Sequence, residues 1–163
     1  MHTKAFYAGT FDPLTNGHAY IINESLKLFD SLVIGIGTNP FKIPMFSAEE
    51  RRNIIIAEYP IVDCVIYTDR LMVNVANELG CSHIVRGIRN AQDLQYEMEI
   101  TTWNSKIADS KTIPSTVFLP TPTELAHISS SMVKSLIGVD SWKTNIMMNV
   151  PTSSVSAILN KFK

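Results

Sequence analysis

The residues able to do chemistry gather in four short segments. The first is G-T-F-D-P-L-T-N-G-H, residues 9–18, which offers the Thr10 hydroxyl and the His18 imidazole. Gly9 and Gly17 lack a Cβ, so a ligand can approach the backbone beside them. Pro13 and Asn16 shape the turn, and Asp12, just before a proline, reads as an Asx-turn residue. The second segment, Thr38-Asn39-Pro40-Phe41-Lys42, ends in an ammonium group. The third, Arg86-Gly87-Ile88-Arg89, carries two guanidinium groups. The fourth, Ile128-Ser129-Ser130-Ser131, opens a helix. Free backbone N–H groups and the positive end of a helix dipole attract anions there. Lysine, arginine and imidazole add charge and directed donors. The shared chemistry is phosphate binding. His18 sits at a helix N-terminus, which disfavours the imidazolium, so it reads as a neutral donor.

Other phosphate and metal motifs are missing. There is no G-x-x-x-x-G-K-[ST] and no G-x-G-x-x-G; Gly35 and Gly37 have no third glycine at the needed spacing. Neither H-E-x-x-H nor paired Cys/His spacing for zinc occurs. No metal-ligating residue is assigned.

The elements that must position these groups follow from periodicity. Strands are expected at Lys4–Ala8, Leu32–Gly37, Val62–Tyr67, Ser82–Arg86 and Thr116–Leu119, each a solid apolar run. Helical spacing covers Gly17–Phe29, Leu71–Leu79 (closed by Gly80), Ala91 to about Ala108, and Ser130–Ile137. The box Ser47-Ala48-Glu49-Glu50 opens a helix through about Glu58. A helical tail is expected over about 139–163, with Pro151 near the start of its last helix. Continuous apolar strands alternating with helices indicate a parallel sheet covered on both faces. The fold class is therefore α/β: one doubly wound, Rossmann-like domain over 1–163, with a five-stranded parallel sheet. Such sheets bind ligands at the carboxyl ends of their strands, where all four segments lie.

The chain has 163 residues, 45% of them hydrophobic and 18% charged, with a net charge of −1. That balance suits a globular domain and gives no global field for nucleic acid or a membrane surface. Cys64 and Cys81 read as reduced, buried thiols. No signal-like segment precedes the first strand, and no apolar run approaches the roughly 18 residues of a membrane span. The expected compartment is the cytoplasm.

The motifs carry a resemblance. G-T-F-D-P-x-T-N-G-H is similar to the (H/T)-x-G-H signature of the nucleotidyltransferase superfamily, and I-S-S-S-M-V-K to its second signature. Residues 84–99, I-V-R-G-I-R-N-A-Q-D-L-Q-Y-E-M-E, resemble the R-G-[LI]-R-x-x-x-D-[FL]-x-Y-E stretch of the phosphopantetheine adenylyltransferase family. N-P-F-K-I-P-M-F-S-A-E-E-R, residues 39–51, matches the same family, and the likeness is colinear from residue 4 to about 137. It implies that ATP and 4′-phosphopantetheine, with Mg²⁺, give dephospho-coenzyme A and pyrophosphate, a step of coenzyme A synthesis. By resemblance, His18 contacts the ATP phosphates and stabilises the transition state. Thr10 and Lys42 reach the phosphates between the substrates, and Arg89 joins this catalytic group. Arg86 and Met72 help hold phosphopantetheine. Phe11, Gly87, Ile88, Arg89, Glu97, Leu125, Ala126, His127, Ile128, Ser129, Ser130 and Ser131 line the ATP site. Dephospho-coenzyme A or coenzyme A is implied as product or inhibitor, and a homo-oligomer, commonly a hexamer, as the assembly.

The chain also departs from the family. Ala8 stands where proline is usual, and Thr68-Asp69-Arg70 lacks the usual glycine. The stretch between Lys134 and Pro151, with Trp142, Met147 and Met148, runs a few residues longer. Two alternatives stay open. One is another nucleotidyltransferase, acting on nicotinamide mononucleotide or making a cytidylyl product. The other is a non-catalytic nucleotide-binding module, which would be expected to lose His18 or Lys42.

Overall fold

The computed structural model describes residues 2–38, 43–108 and 112–163. Five parallel strands form one sheet: β1 (Lys4–Gly9), β2 (Ser31–Thr38), β3 (Asp63–Thr68), β4 (His83–Ile88) and β5 (Ser115–Pro120), in the order β3-β2-β1-β4-β5. The chain steps outward from β1 to β3, then returns across the sheet to β4. The direction of winding reverses between β1 and β4, and the carboxyl ends of these two strands flank a natural crevice.

The connecting helices explain the two apolar faces. Helices α1 (Asn16–Leu28) and α2 (Ala48–Glu58) place Ile21, Ile22, Ile54 and Ile55 against Tyr7, Ile34 and Ile36. Helix α3 (Met72–Glu78) lays Val73, Val75 and Ala76 on Phe6, Ala8 and Val33, the opposite face. Helix α4 (Ala91–Ile107) joins β4 to β5, and its end at Ala108 packs on that second core. The Ser47–Glu50 box is formed: the Glu50 N–H donates to Ser47 Oγ at 3.1 Å and the Ser47 N–H to Glu50 Oε2 at 2.7 Å. Gly80 follows α3 with φ 68°, the left-handed geometry that glycine adopts without strain.

Beyond β5 lie α5 (Thr123–Ala126), α6 (Ser130–Leu136), α7 (Trp142–Asn149) and α8 (Thr152–Lys161). The short α5 carries no periodic signal and was not expected. The expected tail is two helices, broken where Pro151 removes a backbone donor. Both are anchored in the first core, by Ile146 and Ile158. Cys64 and Cys81 are free thiols, and burial pushes Cys64 up to about 11, so it is held protonated.

Gly35 marks the tightest approach inside the sheet. A Cβ there would meet the Phe6 ring at 2.1 Å, and Phe6 is completely buried. Gly35→Ala is expected to cost about 3 kcal/mol, because the added methyl overlaps a fully buried ring. For a chain of this size that lowers Tm by roughly 6–12 °C in thermal unfolding; an unchanged Tm would contradict the packing described.

Candidate active site

The carboxyl end of β1 runs into a turn whose shape is set by an aromatic ring. Phe11 has φ 49°, unusual for a residue with a side chain. The conformation is held because its ring is fully buried, with Tyr7 at 5.3 Å and His18 at 5.1 Å, both edge-on. Gly9 serves this ring: a Cβ on Gly9 would stand 2.9 Å from Phe11 Cζ. The side of Gly9 on which a Cβ would stand is therefore filled by Phe11, while Gly9 itself lines the cleft between β1 and β4. A Cβ on Gly17 would stand 3.8 Å from the carbonyl oxygens of Leu125 and Ile128, ordinary contact, and Gly17 lines the cleft.

His18 is the third residue of α1 and closes a capping box with Thr15. The Thr15 N–H donates to His18 Nδ1 at 3.1 Å, and the Thr15 hydroxyl lies 3.0 Å from the same nitrogen. With Nδ1 accepting, the proton belongs on Nε2, which leaves the ring one free donor. Desolvation, with a contribution from the Arg89 cation, lowers its pKa from 6.5 to about 4. The ring is thus neutral at physiological pH. The sign follows: as pH falls from 6.5, unfolded chain takes up this proton first, so His18 withdraws stability between pH 6.5 and about 4. In a proton NMR titration the His18 ring is expected to titrate near 4; a midpoint near 6.5 would contradict the buried, Nδ1-accepting geometry.

Across the crevice, two arginines stand against carboxylates of α4. Arg86 donates from Nε and Nη2 to Glu97 at 2.6 and 2.5 Å, and from Nη1 to the Ala8 carbonyl at 3.0 Å. Both side chains are largely buried. A fourth guanidinium N–H, the second on Nη1, approaches Met72 Sδ at 3.8 Å, which leaves one of the five. Arg89 pairs with Asp93 at 2.7 and 3.2 Å and is more exposed. Asp93 is held below the usual carboxylate range by its hydrogen bond from Arg89.

These groups enclose a cleft of 380 Å³, completed by Ile128, Ser129 and Ser130. Ser129 caps α6, accepting the Met132 N–H at 3.1 Å, while Ser130 donates to the Pro13 carbonyl at 2.9 Å and ties α6 to the β1 turn. A smaller cavity of 230 Å³ shares Thr10 and Ser130 with the cleft and adds Arg51, Lys134 and Ser131. The arrangement can hold a polyanion: hydroxyls, a neutral imidazole N–H and cations converge.

Residues 6–136 match the family model described as cytidylyltransferase-like. A protein named phosphopantetheine adenylyltransferase from Neisseria meningitidis serogroup C (strain 053442) is 39% identical over 159 residues, 96% of this chain and 92% of that one. The Chromobacterium violaceum protein of the same name is 37% identical over 162 residues, 98% of this chain and 97% of its own. The chain belongs to the phosphopantetheine adenylyltransferase family. Among solved structures, the Plasmodium falciparum nicotinic acid mononucleotide adenylyltransferase complexed with NaAD superposes with a TM-score of 0.68 at 16% identity, covering 100% of this chain and 99% of that one. Thermotoga maritima TmcAL, bound with alpha-thio ATP, gives 0.65 at 10% identity over 99% of this chain and 56% of its own. At those identities the likeness shows the shared Rossmann-like fold.

The residues singled out in this adenylyltransferase family member fall into three groups. Thr10, His18, Arg86, Gly87, Arg89, Glu97, Ile128, Ser129 and Ser130 line the cleft together. Phe11, Met72, Ile88, Leu125, Ala126, His127 and Ser131 do not line it. Phe11 is a buried support for His18, Met72 Sδ lies 3.8 Å from Arg86 Nη1, and Ser131 lines the smaller cavity. Lys42 lies outside the described residues. Asp12 is not the local turn former expected. Its carboxylate, 4% exposed, accepts the Met45 and Phe46 N–H groups at 2.9 Å each and Lys134 Nζ at 3.0 Å.

Arg51 was missed. It is as buried as Asp12 and donates to the carbonyls of Thr10 at 2.5 Å and Phe46 at 3.1 Å, clamping the first segment to the start of α2. In the sequence it looks like one more charge after a capping box. Lys134 closes the I-S-S-S-M-V-K motif, and that position was the signal available for it. Tyr7, Asp93 and Tyr96 also line the cleft without having been singled out.

Proposed function

We propose that the protein transfers the adenylyl group of ATP to 4′-phosphopantetheine, giving dephospho-coenzyme A and pyrophosphate in coenzyme A biosynthesis. The observation that carries this is the 39% identity over 96% of the chain to a relative of that name. The cleft at the β1/β4 switch point supports it chemically. The attacking phosphate oxygen of phosphopantetheine is already ionised at neutral pH, so no general base is needed. It attacks the α-phosphorus in line, the α–β bridging bond breaks, and pyrophosphate leaves with the electron pair. Positioning and electrostatic stabilisation suffice, without a covalent enzyme intermediate.

Each residue has a role in this reading. His18 Nε2–H donates to the phosphates as charge builds in the transition state. Thr10, Lys42 and Arg89 hold the phosphates on which the two substrates meet. Arg86, with Met72 beside it, faces phosphopantetheine. Gly87, Ile88, Arg89, Glu97 and residues 125–131 surround the nucleotide, Phe11 backing His18. Among the described residues no group of three or more His, Cys, Asp or Glu is placed to hold a metal ion. Mg²⁺, implied by the family resemblance, is assigned to the ATP substrate, whose phosphate charge it would offset.

The R-G-I-R-N-A-Q-D-L-Q-Y-E segment favours phosphopantetheine over other acceptors. Its Arg86 and Glu97 form a buried pair inside the cleft, and its Arg89 and Asp93 a second, more exposed pair. The test is pyrophosphate release from MgATP with 4′-phosphopantetheine, nicotinamide mononucleotide or glycerol 3-phosphate. Turnover with phosphopantetheine alone is expected; turnover with another acceptor overturns the substrate, and none at all favours a binding module. The reading also includes a homo-oligomer, a hexamer in this family, supported by the exposed Leu94, Met98 and Trp103 on α4. A monomeric mass in solution rejects that part. No helix among the described residues is long and apolar enough to cross a membrane. The proposed compartment is the cytoplasm.

A further inference from the structure

Tyr7 lines the cleft, yet nothing in the sequence motifs or the reaction chemistry assigns it a role. It lies on β1, two residues before the strand ends, and is 6% exposed. Its ring packs edge-on to Phe11, which packs edge-on to His18, so the three rings form one rigid row. Its hydroxyl stands 3.8 Å from where a Cβ on Gly87 would be, beside another wall of the cleft. Among the described residues no hydrogen bond is made by that hydroxyl. The hydroxyl is not sealed off within the core but opens on the cleft, where a bound molecule can reach it and a phenylalanine ring would offer no donor.

The surroundings say what the hydroxyl suits. Burial raises the phenol well above its ordinary pKa of 10.0, with Arg86 and Arg89 opposing and Glu97 reinforcing the shift. The group is a neutral donor across the physiological range. It occupies the side of the sheet that carries Phe11, Ile21 and Val85, the first core. The Arg86 guanidinium bonds Ala8 and approaches Met72, which both belong to the second core. Of the two substrates in the proposed reaction, Tyr7 therefore faces the one placed on the His18 side.

We propose that the Tyr7 hydroxyl positions the nucleotide by donating a hydrogen bond to one of its oxygens, a ribose hydroxyl or a phosphate. This rests on the reading of the cleft as an ATP site. It makes Tyr7 a positioning residue whose bond forms when the nucleotide arrives, aligned through the same ring row that fixes His18.

The test compares wild-type protein with Tyr7→Phe, which removes one oxygen and keeps the ring. Calorimetry with ATP, and with adenosine, measures binding; initial rates give KM for each substrate. Loss of one neutral hydrogen bond predicts roughly a three- to tenfold weaker ATP dissociation constant. KM for ATP is expected to rise in parallel while KM for 4′-phosphopantetheine and Tm do not fall or rise beyond error. A weakening shared by adenosine places the partner on the ribose; one confined to ATP places it on a phosphate. Unchanged ATP binding in Tyr7→Phe overturns the proposal while leaving the ATP site intact. So does a fall in Tm with both KM values altered, which marks a structural role. A wild-type protein that binds no ATP overturns the underlying reading and the proposal with it.

Discussion

His18→Ala is expected to slow adenylyl transfer by roughly 10²–10³-fold, the loss seen when one preorganised donor to a developing oxyanion is removed. ATP binding should weaken far less. The reason lies in how the ring is held. Thr15 occupies Nδ1 from the backbone and the side chain, Phe11 fixes the ring plane, and the remaining N–H projects from a neutral imidazole. A group fixed in this way pays no reorganisation as charge develops on the phosphates. His18→Gln, which restores a neutral N–H donor, should recover part of the rate. Single-turnover measurements at saturating ATP separate the two effects. If His18→Ala weakened ATP binding severely and left the single-turnover rate unchanged, the ring would serve binding alone.

The second large effect concerns Glu97. Its carboxylate takes two hydrogen bonds from Arg86, and both side chains are mostly out of solvent. Removing one partner of such a pair leaves the other charge uncompensated, typically at a cost of about 3–5 kcal/mol. Because this pair retains some exposure at the cleft, Glu97→Ala is expected near the lower end, about 3 kcal/mol. In a chain of this length Tm should fall by roughly 6–12 °C. Activity should fall as well, since Arg86 loses the bonds that orient it. Glu97→Gln keeps an acceptor oxygen for one of the two bonds and should fall between. Thermal unfolding of both variants, read with KM for phosphopantetheine, checks this. A Glu97→Ala protein with wild-type Tm would show that Arg86 is solvated and that the pair is not a structural unit.

Much of the fold was legible in the sequence because its signals are local. The runs Leu32–Gly37 and Val62–Tyr67 are apolar enough to read as strands, the first buried and the second a half-buried sheet edge, and Ser47 with Glu50 closes a box over three residues. The nearly continuous apolar strands announced the parallel sheet, and the sheet announced where to look. What stayed hidden depends on residues far apart in the chain. Asp12 before Pro13 has every local mark of a turn residue. Its actual partners are Met45, Phe46 and Lys134, 33 to 122 positions away. Arg51 hides for the same reason, since nothing near it shows that its head reaches the Thr10 carbonyl. Gly9 lines the cleft as its place before the loop suggests, but its second task, leaving room for the buried Phe11 ring, shows only once the ring is placed. Helix α5 is one turn long, too short for periodicity to register. In the site, the residue types were legible; the pairing of Arg89 with Asp93 is a local contact over four positions, but that of Arg86 with Glu97 needed the packing of α4 on β4.

The most direct test is a single turnover with ATP labelled at the α-phosphorus and 4′-phosphopantetheine, followed by separation of products and protein. Label should appear in dephospho-coenzyme A, stoichiometric with pyrophosphate, and none should be retained on the protein at any time point. Label trapped on the protein would require a covalent intermediate. Label left in ADP would mean that the γ-phosphoryl group moves instead. Either result would contradict direct adenylyl transfer at this site.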